Sequence, residues 1–135
     1  MQDFRRLAVW QKSHRLTLDI YHATKDFPPD ERFALTQDLR SAARSIPTNI
    51  AEGCGRTRPS MRHFLQIALG SASEVEYHLF LARELGVAEP GVCDRLSGQT
   101  AEIKRMLAGL IARLRAADRP PRPPVAEKLL LRTDD

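Results

Sequence analysis

The chain has 135 residues and a mass of 15.2 kDa, enough for one domain, and 28% charged against 42% hydrophobic residues exclude a disordered or fibrous polypeptide. Aromatics make up only 6%, so the core is expected to be aliphatic, and no stretch approaches the ~18 apolar residues that a membrane span needs. The net charge of +4 comes from 21 Lys and Arg against 17 Asp and Glu. The opening Met1-Gln2-Asp3-Phe4-Arg5-Arg6 has no apolar core of a signal peptide, which makes the cytoplasm the expected compartment. Cys54 and Cys93 have no C-x-x-C spacing and are expected to be free thiols.

Four segments repeat apolar residues with a 3.6-residue period, and none alternates as a strand would. The first runs from about Phe4 to Thr24, with Leu7, Trp10, His14, Leu18 and Tyr21 as its stripe, and stops before Phe27-Pro28-Pro29. A second helix is expected from near Pro29-Asp30-Glu31, with Leu35, Leu39, Ala42, Ala43, Ile46, Asn49 and Ile50 facing inward, ending at Gly53-Cys54-Gly55. The third spans about Pro59-Ser60 to Leu85, with Gly86 suited to follow its end. The fourth spans about Pro90 to Ala117. Long helices on short loops pack as antiparallel neighbours, so the expected fold is all-α, an up-down-up-down four-helix bundle over residues 1–117. Residues 118–135 form a separate Pro-rich tail: Arg119-Pro120-Pro121-Arg122-Pro123-Pro124 reads as an extended spacer before Leu129-Leu130-Leu131. A frayed terminus is the plain reading of that tail and a docking peptide the sharper one.

Charge is unevenly distributed along the chain. Residues 1–16 sum to +3, 17–39 to −3 and 40–63 to +4, while 64–117 and 118–135 each balance. Clustered arginines respond to a phosphate backbone more than a small overall excess does. The candidate phosphate contacts are therefore Arg40, Arg44, Arg56, Arg58 and Arg62, with Arg5, Arg6, Lys12 and Arg15 contributing. The scarcity of aromatics argues against base stacking as the main mode of binding.

Enzyme chemistry finds little support. There is no Glu-x-x-His pair, H-E-x-x-H, Walker loop, G-x-G-x-x-G or G-x-S-x-G. Glu74 and His78, one turn apart, form a single pair of the kind common on helix surfaces. Cys54 would be reactive only if Arg56 stabilised its thiolate. No catalytic residue, metal or cofactor is expected. The unusual residues are structural: Pro47 lies inside the second helix, Asn49 on its inner stripe, and Gly70 and Ser71 amid small residues of the third. Gly70 predicts close approach of another helix, and Asn49 is expected to face Gly70-Ser71; Trp10 is a candidate for core or interface.

These residues carry a family resemblance. Phe4-Arg5-Arg6-Leu7-Ala8-Val9-Trp10-Gln11, the junction from Thr24-Lys25-Asp26-Phe27-Pro28 through Glu31-Arg32-Phe33-Ala34-Leu35, and Arg40 to Gly53 resemble the four-helix-bundle proteins encoded in intervening sequences of bacterial 23S ribosomal RNA genes. Phe64 to Ser71, Glu74 and Leu85-Gly86 complete a likeness covering roughly residues 4–117. Ala34 stands where a glycine is common, and the Pro-rich tail lies outside the family pattern. The family also includes relatives of the accessory variability protein of diversity-generating retroelements. The resemblance implies a ring-like homopentamer with a basic surface and, for the retroelement branch, binding to nucleic acid and a reverse transcriptase; it supplies no catalytic residues. The expected function is a non-enzymatic, oligomeric nucleic-acid adaptor with RNA favoured over DNA. The alternative is a scaffold whose ring or tail binds a protein partner.

Overall fold

The computed structural model describes residues 3–31 and 34–119; Arg32, Phe33 and residues 120–135, with the prolines of the expected spacer and Leu129-Leu130-Leu131, lie outside the described residues. Four helices are present: α1 (Ala8–Thr24), α2 (Leu35–Cys54), α3 (Arg58–Glu84) and α4 (Pro90–Ala117). They form one all-helical bundle in which α1 packs on α2 and α4, and α3 packs on α2 and α4, leaving α1 and α3 diagonal. The antiparallel order is visible in the cross-links. Thr17 reaches Ala43 and Arg40 reaches Thr24 between α1 and α2, Ser45 meets Ser71 between α2 and α3, and Lys104 meets Glu76 between α4 and α3. The core is aliphatic, centred on Leu16, Ile20, Leu39, Ile46, Leu65 and Leu107. Among the described residues, no helix is long and apolar enough to cross a membrane.

Helix boundaries differ from expectation at two places. Phe4–Arg6 is a separate 3-10 turn capped by the Asp3 carboxylate, and extended Leu7 precedes α1. Pro29–Glu31 is likewise a 3-10 turn, so α2 begins only at Leu35, and buried Phe27 pins the connection to the core. Gly86 follows α3 with φ +71°, a left-handed conformation that glycine adopts without a Cβ penalty.

The inward face of α1 is not the stripe expected. Val9, Ser13, Leu16, Ile20 and Thr24 are buried, whereas His14 and Leu18 are exposed and Leu7, Trp10 and Tyr21 only half-buried. Two of the buried residues are hydroxyl-bearing, and each satisfies its own polarity within the helix. Ser13 donates to the Trp10 carbonyl (2.9 Å) and Thr24 to that of Ile20 (2.8 Å). Burial is therefore not penalised, and the bulkier aromatic stripe is left outside.

Pro47 is buried in α2 and removes the N–H that would bind the Ala43 carbonyl. Thr17 of α1 supplies the replacement: its hydroxyl is shared between the carbonyls of Ser13 (2.8 Å) and Ala43 (3.1 Å). Two residues further, Asn49 is half-buried and donates to the Ser45 carbonyl (2.8 Å) and hydroxyl (3.0 Å). The Ser45 and Ser71 hydroxyls are 2.7 Å apart, so Ser45 stands between Asn49 and α3. Gly70 is different. It is exposed and a Cβ there would meet nothing within 4 Å, so the helix contact expected at this glycine is absent within the described chain. The close approach occurs at Gly53 instead, where a Cβ would lie 3.2 Å from the Cβ of Phe64 and 3.4 Å from the Met61 carbonyl.

Replacing Thr17 by Val is expected to destabilise the bundle by about 1–2 kcal/mol in urea unfolding, because a buried carbonyl loses its donor. The loss should shrink in a Pro47→Ala background, where the backbone N–H returns. Equal losses in both backgrounds would show that the hydroxyl does not serve the proline.

Candidate nucleic-acid interface

Antiparallel packing brings the start of α1, the end of α2, the start of α3 and the end of α4 to one end of the bundle. When each helix is divided at its midpoint, the half toward this end holds twelve cations: Arg5, Arg6, Lys12, Arg15, Arg56, Arg58, Arg62, Lys104, Arg105, Arg113, Arg115 and Arg119. Its only described acids are Asp3, Glu52 and Asp118, giving a net charge of +9. The other half holds five cations against eleven acids, a net of −6. The bundle is thus electrically bipolar along its axis. Clustered charge of one sign at one end creates a potential that attracts a polyanion before contact.

Lys104, Arg105, Arg113 and Arg115 were not among the sequence candidates. Residues 64–117 sum to zero because the acids of α3 and the start of α4 cancel the cations of α4's second half in sequence, yet in space the two sets fall on either side of the bundle's middle, where Lys104 and Glu76 meet. Dividing each predicted helix at its middle, rather than summing along the chain, is the signal that finds them.

The structure separates the nine sequence candidates by their surroundings. Arg40 is half-buried and structural: its Nε donates to the Thr24 hydroxyl (2.7 Å) and its Nη2 to the Tyr21 carbonyl (3.3 Å), in the last turn of α1. That carbonyl is one of the four a helix end leaves without a partner. Lys12 pairs with Glu102 (2.8 Å), and the ammonium holds the Glu102 carboxyl below its usual range, by hydrogen bonding first and by charge second. Arg15 lies 3.4 Å from Asp19, and Arg56 pairs with Glu52. Arg58 and Arg62 share Asp118, at 4.0 and 3.3 Å. Arg5, Arg6 and Arg44 have no ion-pair partner among the described residues. Exposed ion pairs contribute only ~0–1 kcal/mol, so a phosphate can displace the carboxylate from Arg56, Arg58 or Arg62 at little loss.

Two grooves run along α2. Between α1 and α2 a groove of about 560 Å³ is lined by Phe4, Trp10, His14, Pro47, Thr48, Ala51 and Glu52. The Trp10 and His14 rings stack 5.0 Å apart with planes 9° from parallel, and Phe4 tilts against Trp10 at 5.0 Å. Between α2 and α3 a polar groove of about 410 Å³ is lined by Asp38, Ser41, Ser45, Ser71, Glu74 and His78, with the His78 Nδ1 unpartnered. Among the described residues no three His, Cys, Asp or Glu side chains converge to hold a metal ion.

Neither cysteine is activated. Burial pushes the Cys54 thiol upward and Asp3 adds to the shift; burial does the same to Cys93, with Asp94 adding and Arg83 opposing. The thiolate is the reactive form, so both groups are expected to label with a disulfide reagent at pH 8 more than ten-fold slower, roughly, in the folded protein than in urea. Rapid labelling of Cys54 in the folded state would mean that Arg56 does stabilise its thiolate.

No curated protein matches the chain. A solved structure that resembles it is a protein with unknown function from the S23 ribosomal protein family of Bacteroides thetaiotaomicron VPI-5482, 24% identical, with a TM-score of 0.73 over 77% of this chain and 98% of that one. At that identity the likeness shows a shared fold. The family model described as 23S rRNA-intervening sequence protein matches residues 5–109, which span α1, α2 and α3 and the greater part of α4. The chain belongs to the 23S rRNA-intervening sequence protein family.

Proposed function

We propose that this protein is a non-enzymatic, self-associating adaptor of the cytoplasm that binds nucleic acid through the basic half of its bundle. The observation that carries the reading is the axial separation of charge, +9 against −6 between two halves of one small domain. A folded protein gains no stability from gathering like charges, and a polyanion is the partner that such a surface fits. Phosphate contacts of this kind position a nucleic acid without reading its sequence, so weak sequence preference goes with the proposal. RNA is the favoured partner because the family's name ties its members to intervening sequences of 23S rRNA.

A binding titration of nuclease-treated protein against structured RNA and duplex DNA across a salt series tests this reading. Affinity should fall steeply with salt, with a log–log slope of roughly 0.7–0.9 per phosphate neutralised. Replacing Arg58, Arg62, Arg113 and Arg115 together by Ala should lower that slope by about 3 units. Replacing Arg83 and Arg95 of the acidic half should leave it unchanged. Arg40 is left in place because its loss would uncap α1. No binding at low salt, or equal effects of the two sets, would overturn the proposal.

A second reading, a scaffold for a protein partner, is favoured by a different face. Tyr77 and Phe80, three residues apart on the outer side of α3, are 58% and 57% exposed. Large apolar side chains grouped on one helix face mark contact surfaces. The homopentamer and the protein partner implied by the family resemblance would both use such a face. Light scattering is expected to show an oligomer that Tyr77→Ser with Phe80→Ser dissociates; a monomeric parent protein would reject self-association.

A further inference from the structure

Aromatic residues number only eight, one Trp, two Tyr and five Phe, yet the α1/α2 groove gathers a disproportionate share of them. Phe4, Trp10 and His14 form a column of rings that ends at exposed His14. Two turns along the same face of α1, Tyr21 continues the wall, about 16 Å from Trp10 by helical rise. The column exists because the aliphatic face of α1 took the core and left this stripe outside. Three cations without a carboxylate partner among the described residues stand near the two ends of the same groove. Arg5 and Arg6 occupy the turn beside Phe4, with the Arg5 guanidinium 5.1 Å from the Phe4 ring centre. Arg44 stands one turn from Thr48 on the opposite wall and donates to the Tyr21 hydroxyl. Glu52, the one carboxylate lining the groove, is already paired with Arg56.

We infer that the α1/α2 groove binds unpaired bases of single-stranded nucleic acid, which stack on the Trp10–His14 column while Arg5, Arg6 and Arg44 hold the flanking phosphates. The inference rests on the nucleic-acid reading above and adds to it a preference for unpaired over duplex strands. Every base has a π-face, so a stacking surface accepts any sequence, whereas bases inside a duplex cannot reach one. The groove is open and about 560 Å³ in volume, and Trp10 is part of its lining. Thr48 places a hydroxyl where a base edge or ribose would lie.

Trp10 is the single tryptophan of the chain, so its emission reports on this groove alone. The test titrates the full-length protein with a labelled single-stranded oligoribonucleotide, its deoxy counterpart, and a duplex, following Trp10 emission and the anisotropy of the label. Either single strand should change Trp10 emission saturably, at the concentrations that raise anisotropy, and the two arms separate RNA from DNA. The duplex should raise anisotropy with emission unchanged. His14→Ala and Trp10→Leu are each expected to weaken single-strand binding about ten-fold with duplex binding unaltered. Trp10→Phe, which keeps a ring in the column, guards against misfolding and should retain most of the affinity. Single-strand binding without an emission change, or equal losses on both substrates, would overturn the groove assignment while leaving the nucleic-acid reading intact. No anisotropy change with any strand would overturn that reading as well. An emission shift on diluting the protein alone would show a second copy filling the groove, which also rejects the inference.

Discussion

At Gly53 the backbone of α2 comes so close to α3 that a Cβ would lie 3.2 Å from the Cβ of Phe64, tighter than nine in ten real Cβ contacts. This contact sits directly before the short link of residues 55–57 and closes the α2/α3 hairpin. Once the hairpin is closed there, the register of the two helices follows up to the Ser45–Ser71 pair, and α1 and α4 fill the remaining sides. The order of ends is then no longer free. Arginines separated by more than 100 residues of sequence, from Arg5 to Arg119, are brought to one end by packing that involves none of their charges. Self-repulsion among them is tolerated because the aliphatic core and the close helix approach supply the stability.

The candidate cations do different work, Arg40 and Arg44 from the acidic half and the others from the basic half. Arg40 satisfies the end of α1, and Lys12 and Arg15 tie to acids of α4 and α1; their charge is spent on the fold. Arg58 and Arg62 hold Asp118 across the α3/α4 seam in an exposed, exchangeable pairing. Arg5, Arg6 and Arg44 frame a groove with a ring-lined wall. The two thiols are pushed away from reactivity by burial.

The architecture was legible in the sequence because 3.6-residue periodicity and Pro/Gly punctuation are local signals. Long helices on short links leave few packings. The inward face of α1 was not legible: Leu7, Trp10, His14, Leu18 and Tyr21 look like a core stripe, and only self-satisfied hydroxyls at Ser13 and Thr24 explain why the other face went inside. Pro47 was visible as an anomaly, but its remedy, a hydroxyl from α1 at Thr17, is 30 residues away in sequence and depends on the packing. Gly70 looked like the close-approach glycine, and Gly53 is the one that is. As for the interface, the arginine block at 56–62 was readable, whereas the α4 cations were hidden in the sum by acids that lie across the bundle's middle in the other half.

The bipolar bundle also bears on how copies of the chain meet. Neighbours standing side by side in the same direction set basic half against basic half and acidic against acidic. Neighbours running in opposite directions pair unlike halves. Dissolved ions shorten the reach of these forces to about 8 Å at physiological strength. Added salt therefore strengthens a same-direction assembly and weakens an opposed one. A ring of aligned copies would present all its basic ends on one rim, and salt would tighten the ring while loosening its hold on a polyanion. The sign of that response reports the relative orientation of the subunits without a structure of the assembly.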